Sequence, residues 1–90
     1  MSARIDQLRA RIEREIAPTS LEIFDESHRH VGHAGAADGR GHFRLRVVAE
    51  CFRDLGSLAR HRRIYAAVGD LMDTDIHALS IEALSPEESA

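Results

Sequence analysis

Ninety residues make one small domain, long enough to bury a single core and too short for a multidomain enzyme. Apolar residues at 43% and charged residues at 30%, with six glycines and two prolines, exclude a disordered or collagen-like chain. A net charge of −3 argues against the broad cationic footprint of nonspecific nucleic-acid binding, and the single cysteine, Cys51, excludes an internal disulfide or an all-thiolate zinc cage.

No run approaches the roughly 18 apolar residues of a membrane span. The opening Met-Ser-Ala-Arg-Ile-Asp has no signal-peptide core, so a cytoplasmic protein without membrane contact is expected. All twelve basic residues are arginine, planar donor forks suited to carboxylates and phosphates. Six histidines are the compositional excess, and most of them crowd into one segment.

From Ser2 to about Ala17, the residues Ile5, Leu8, Ile12 and Ile16 recur at the spacing of a helix with one buried stripe, with Ser2 as cap and Pro18 as stop. Ser20 to Ser27 reads as a half-buried strand, in which Leu21 and Ile23 alternate with Glu22 and Phe24 falls on the outward parity. Gly32, Gly35, Gly39 and Gly41 mark His28 to Gly41 as a long loop, and loops of that length in small domains usually carry function. Past it, Phe43, Leu45, Val47 and Ala49 alternate with Arg44, Arg46, Val48 and Glu50, a second strand antiparallel to the first.

Cys51 to Gly56 predicts a turn, after which Ser57 caps a second helix with a stripe of Leu58, His61, Tyr65, Val68 and Met72, supported by Ile64 and Leu71. Asp75 to Leu84 predicts a third strand, with His77, Leu79, Ile81 and Ala83 on one parity, and residues 85–90 form a short acidic tail. The order helix, strand, strand, helix, strand defines a single α+β domain. A helical crossover makes the third strand parallel to its neighbour, taken as the second strand, so a mixed three-stranded sheet with helices on one face is expected.

Three groups carry potential chemistry. His28, His30 and His33 open the loop as His-x-His-x-x-His and His42 closes it; imidazole is the commonest transition-metal ligand, yet on spacing alone a solvated polar loop is the simpler account. His77 opens the last strand, either as a rigid partner for a loop ligand or as a ring packed under the sheet. Arg60-His61-Arg62-Arg63 places His61 on the apolar stripe, filling a core gap, while Arg60, Arg62 and Arg63, with Arg53, form either a solvated face or a cationic patch for phosphates or carboxylates.

No Gly-x-Ser-x-Gly elbow, phosphate loop or paired-glycine fingerprint is present, and Cys51 reads as a small buried apolar residue, so a non-enzyme is expected.

Taken together, Asp25-Glu26-Ser27, Gly32-His33, His42-Phe43, Phe52, Arg60-His61-Arg62 and Ile76-His77-Ala78-Leu79 resemble the BolA family over roughly residues 4 to 87. The resemblance implies a fold akin to the type II KH domain. It also implies a non-enzymatic partner of monothiol glutaredoxins that shares a glutathione-ligated [2Fe-2S] cluster in cluster trafficking or in iron and redox regulation. The family's two cluster ligands carry over to His77 and to the loop histidine His33, with His30 as the substitute. The apo form is expected to be a monomer or weak homodimer. The family usually has glycine two residues after the phenylalanine; here Asp54 stands there and glycine comes at Gly56, so a turn of different shape is expected.

Some BolA proteins are described as transcriptional regulators, which makes DNA binding by the arginine-rich helix the rival reading. The absence of a Gly-x-x-Gly clamp speaks against KH-type RNA binding. A third reading is a metal buffer holding zinc or nickel among His28, His30 and His33.

Overall fold

The computed structural model describes residues 3–27 and 41–90. In chain order these form α1 (Ala3–Ile16), β1 (Ser20–Asp25), β2 (Gly41–Val48), a 3-10 turn (Glu50–Phe52), α2 (Ser57–Val68), α3 (Leu71–Thr74), β3 (Ile76–Leu84) and α4 (Pro86–Ser89). The expected order holds, with two four-residue helices added around β3. Serine 2 and the loop span 28–40, including His28, His30 and His33, lie outside the described residues.

The sheet runs β1-β2-β3. β1 pairs antiparallel to β2 from Ser20↔Val48 to Asp25↔Phe43, and β2 pairs parallel to β3, ending at Val48↔Leu84. Alternation on β2 sends Phe43, Leu45 and Val47 into the core. There they meet Leu8, Ile12 and Ile16 of α1, Phe52 of the 3-10 turn, Ile64, Ala67 and Val68 of α2, and Ile76 of β3. The opposite face is polar: Arg46 reaches Glu22 at 3.8 Å on one side and Glu82 at 3.3 Å on the other, each its cross-strand neighbour. Phe24 is the exposed aromatic that the alternation predicts, and the Arg44 guanidinium lies over its ring at 4.1 Å.

Four expectations are corrected. The stripe of α2 is rotated: Ile64, Ala67 and Val68 are buried while Leu58 and Tyr65 are 64% and 41% exposed, and His61 is half-buried. Apolar residues surround this helix, so the packing against α1 and β3 selects the face. The helix also stops at Val68, where Gly69 takes φ 60° and its N–H donates to the Tyr65 carbonyl, so Met72 belongs to the next turn.

Gly56, not Ser57, is the N-cap of α2, with no side-chain capping bond. β1 ends at Asp25, two residues early, because Ser27 turns its hydroxyl to the second strand.

The turn after Phe52 keeps a left-handed residue where the family has glycine: Asp54 sits at φ 65°. Aspartate tolerates that left-handed region better than most side chains. Ala17, before Pro18, is likewise out of helical geometry at φ 53°. Cys51 is half-buried against the core, its thiol directed at the Ile16 carbonyl at 3.9 Å.

Candidate functional site

The corner where β2 and β3 begin is assembled mainly by backbone hydrogen bonds. The Gly41 N–H donates to the Asp75 carbonyl at 2.9 Å, the Glu26 N–H donates to the His42 carbonyl at 2.8 Å, and the His42 N–H donates to Ser27 Oγ at 3.0 Å. Gly41 permits the close approach: a Cβ there would stand 2.5 Å from the Phe43 ring and 3.1 Å from Ser27 Oγ. Ser27 and Gly41 are also the two residues flanking the span 28–40. The two residues that flank the histidine-bearing segment are therefore fastened at the start of β2, Gly41 on the β3 side and Ser27 on the β1 side.

His77 lies at that start. Gly41 pairs with Ile76 but His42 pairs with Ala78, so His77 is the extra residue of a β-bulge. Bulges re-aim side chains. Here the bulge sends Ile76 into the core at 1% exposure and leaves His77 exposed, whereas simple alternation had put His77 on the parity of Leu79 and Ile81. The reading of a ring packed under the sheet is thereby corrected.

The His77 ring meets the ring of His42, with centroids 4.9 Å apart and planes tilted by 43°. His42 itself is 8% exposed. A cleft of about 280 Å³ beside them is lined by Glu26, His42, Phe43, Ala78, Leu79 and Ser80.

The structure thus brings together His77, His42 and both anchors of the loop; His33 and His30 fall outside the described residues. Among the described residues no group of three or more His, Cys, Asp or Glu side chains converges as a complete metal site. An exposed imidazole on a strand end suits a ligand set completed from elsewhere, by the loop or by a second protein. Sequence reasoning noted His42 as the loop's closing residue and, with Phe43, as part of the family resemblance, without a role in the site. Its parity with Arg44 and Arg46, on the face opposite Phe43, was the available signal.

The arginines separate into two kinds. Arg60 is not a solvent-facing cation: Nε donates to the Leu55 carbonyl at 2.8 Å, Nη1 to the Ala83 carbonyl at 3.0 Å, and the guanidinium pairs with Glu88 at 2.5 Å. Arg60 holds the Glu88 carboxyl down at about 2, helped by the Ser85 N–H. Arg53 is similarly occupied by Glu50 and Glu87, whose hydrogen bonds raise its pKa further. Arg62 and Arg63 are exposed, as the sequence implied, and form no ion pair among the described residues.

An α-β-β-α-β chain with helices on one face of a mixed sheet is a small α+β domain of the type II KH-like class. A family model for BolA-like proteins matches residues 12–88, and the chain belongs to that family. It is similar to SufE-like protein 1, chloroplastic/mitochondrial, of Arabidopsis thaliana, with 40% identity across 98% of this chain and 25% of that protein. The solved BolA domain of that plant SufE1 superposes with a TM-score of 0.86 at 37% identity, covering 98% of both chains.

Protein BOLA1, chloroplastic, of the same plant is 36% identical over 96% of this chain and 56% of its own length. The DNA-binding transcriptional regulator BolA of Haemophilus influenzae is 33% identical over 87% of this chain and 73% of its own length. The chain thus spans about a quarter of the first curated relative and just over half of the second.

Proposed function

We propose that this chain is a non-enzymatic partner of a monothiol glutaredoxin, co-ligating a glutathione-bound [2Fe-2S] cluster through His77 and one loop histidine, His33 or, in its place, His30. The observation that carries the reading is the corner itself: the residues flanking the histidine-bearing segment are fastened at the start of β2, and the adjoining start of β3 presents an exposed, bulge-aimed His77. When bound, such a cluster supplies one-electron chemistry and a transferable iron-sulfur unit. Neutral imidazole in place of thiolate removes negative charge and raises the reduction potential. A proton competes with the metal for an imidazole ligand, so retention of the cluster is expected to be pH-sensitive.

The test is co-expression with a monothiol glutaredoxin, followed by iron analysis and visible circular dichroism. His77→Ala is expected to abolish the heterocomplex spectrum while the far-ultraviolet spectrum stays native, and His33→Ala to weaken or reshape it. An unchanged spectrum in His77→Ala rejects the assignment. An effect confined to His30→Ala moves the loop ligand three positions upstream.

A second reading, DNA binding, is favoured by the exposed Arg62 and Arg63 and by the printed name of the Haemophilus relative. Two free cations on one helix are few for this role. Neutralising two phosphates gives a log–log salt slope of only about −1.8. Titration against duplex DNA over a salt series separates the readings: a steep slope supports the regulator, and flat or absent binding removes it.

A further inference from the structure

We propose that His42 is the positioning residue for His77: its buried ring is the surface against which the exposed ligand ring is held in a narrow range of orientations. The inference rests on the cluster-binding reading given above and deepens it. His77 is the extra residue of a bulge, and its side chain is exposed at the start of an edge strand.

The bulge and the neighbouring ring both act on its orientation. The bulge fixes the direction of its Cα–Cβ bond. The His42 ring, 4.9 Å away and tilted by 43°, restricts where the imidazole can turn from there. His42 is suited to this because it is buried, at 8% exposure, and its main chain is fastened, the N–H to Ser27 Oγ and the carbonyl to the Glu26 N–H. Those bonds also fasten the entry to the histidine-bearing span, so a single residue couples the loop's anchor to the orientation of the strand ligand. Preorganisation of this kind strengthens a metal contact without adding a ligand.

The experiment uses the full chain, apo and loaded together with a monothiol glutaredoxin and glutathione. In the apo protein, nuclear Overhauser contacts between the His42 and His77 rings and the order parameter of the His77 side chain report the constraint directly. His42→Ala is expected to free the His77 ring, to change the visible circular dichroism of the loaded complex, and to lower cluster retention roughly two- to tenfold, the scale of ordering one side chain. His42→Phe, which keeps an aromatic surface and has no nitrogen, is expected to restore ring order, spectrum and retention.

A mobile His77 ring in the wild type overturns the proposal, and so does a His42→Ala spectrum identical to wild type. Loss of the cluster in a folded His42→Phe overturns it in another direction, by making His42 a ligand. These outcomes stay distinct from failure of the underlying reading, which shows as an unchanged spectrum in His77→Ala. If His42→Ala does not fold, the wild-type ring measurements and His42→Phe still decide.

Discussion

The two ends of the β2–β3 pair share main-chain hydrogen bonds and differ in what their side chains add. At the end where the strands begin, main-chain groups of Gly41, His42 and Glu26 make most of the fastening bonds, and the imidazoles of His42 and His77 meet ring to ring. At the end where they finish, main-chain bonds from Ala49 to Leu84 and from Thr19 to Val48 are joined by charged side chains: Arg53 and Arg60 link the 3-10 turn, α2, the β3 carbonyl of Ala83 and the acidic α4. A charge spent on a structural carboxylate is poorly placed to recruit a partner. The histidine end therefore has the character of a site, and the arginine end that of a clasp.

The strongest way to break the first end is steric. Gly41→Val puts side-chain atoms against the ring of Phe43, which is 3% exposed and has no room to retreat. Overpacking of this kind costs about 3 kcal/mol, or roughly 4–8 °C in Tm for each kcal/mol in a domain of this size. Thermal denaturation checks the size of the loss. Amide exchange should show it concentrated around the Gly41–Asp75 and Glu26–His42 bonds.

The clasp is tested by Arg60→Ala against Arg62→Ala. Removing Arg60 strips donors from the carbonyls of Leu55 and Ala83, at a cost of about 1–3 kcal/mol. Arg62 is exposed and unpaired among the described residues, and its loss should stay within about 0.5 kcal/mol. Equal effects in urea denaturation would show that Arg60 is no more structural than its neighbour.

The pattern of success from sequence follows the same division. Period-two alternation across β2 and the Ile5–Ile16 spacing were enough for the fold, because burial on one face repeats along each element and a single misplaced residue does not hide it. Features that depend on one residue stayed hidden. The bulge at His77 leaves the local pattern readable as plain alternation with the wrong face assigned, and only the pairing with β2 reveals the extra residue. Arg60, Arg62 and Arg63 are the same residue type within one helical turn; their separation into clasp and free surface depends on Glu88, which is 28 residues away in sequence. The corner's other imidazole, His42, was passed over because four loop and strand histidines compete within fifteen residues, 28–42, and spacing alone does not say which one is buried.

Acid sharpens the contrast between the ends. Glu88 has its pKa lowered from 4.5 to about 2, first by its bond from Arg60 and then by the Ser85 N–H. A depressed carboxylate contributes its stability above the unfolded-state value and loses it as pH falls toward the folded one. The clasp should therefore weaken between about pH 4.5 and 2. Because the Glu88 carboxyl is exposed to solvent, the effect is small and screened by salt. In thermal denaturation, wild type should exceed Glu88→Gln in Tm at pH 6, with the gap closing over that window; a gap independent of pH would mean that Glu88 acts through packing alone.

The smallest effect tests the turn inside the clasp. Asp54 at φ 65° and Ala17 at φ 53° both occupy the left-handed region, where an ordinary L-residue carries a strain of about 1–2 kcal/mol and glycine carries none. Glycine in turn costs about 0.4–1 kcal/mol through the greater freedom it gives the unfolded chain. For Ala17→Gly the strain wins, and a gain of about 0.5–1 kcal/mol is expected. For Asp54→Gly the two contributions nearly cancel, because aspartate already tolerates this conformation, and the expected change is within about 0.5 kcal/mol. A large gain at Asp54 would mean that the departure from the family's glycine strains the turn from which Arg53 reaches Glu50 and Glu87. A null result there, beside a clear gain at Ala17, would mean that the aspartate supports the clasp as well as glycine would.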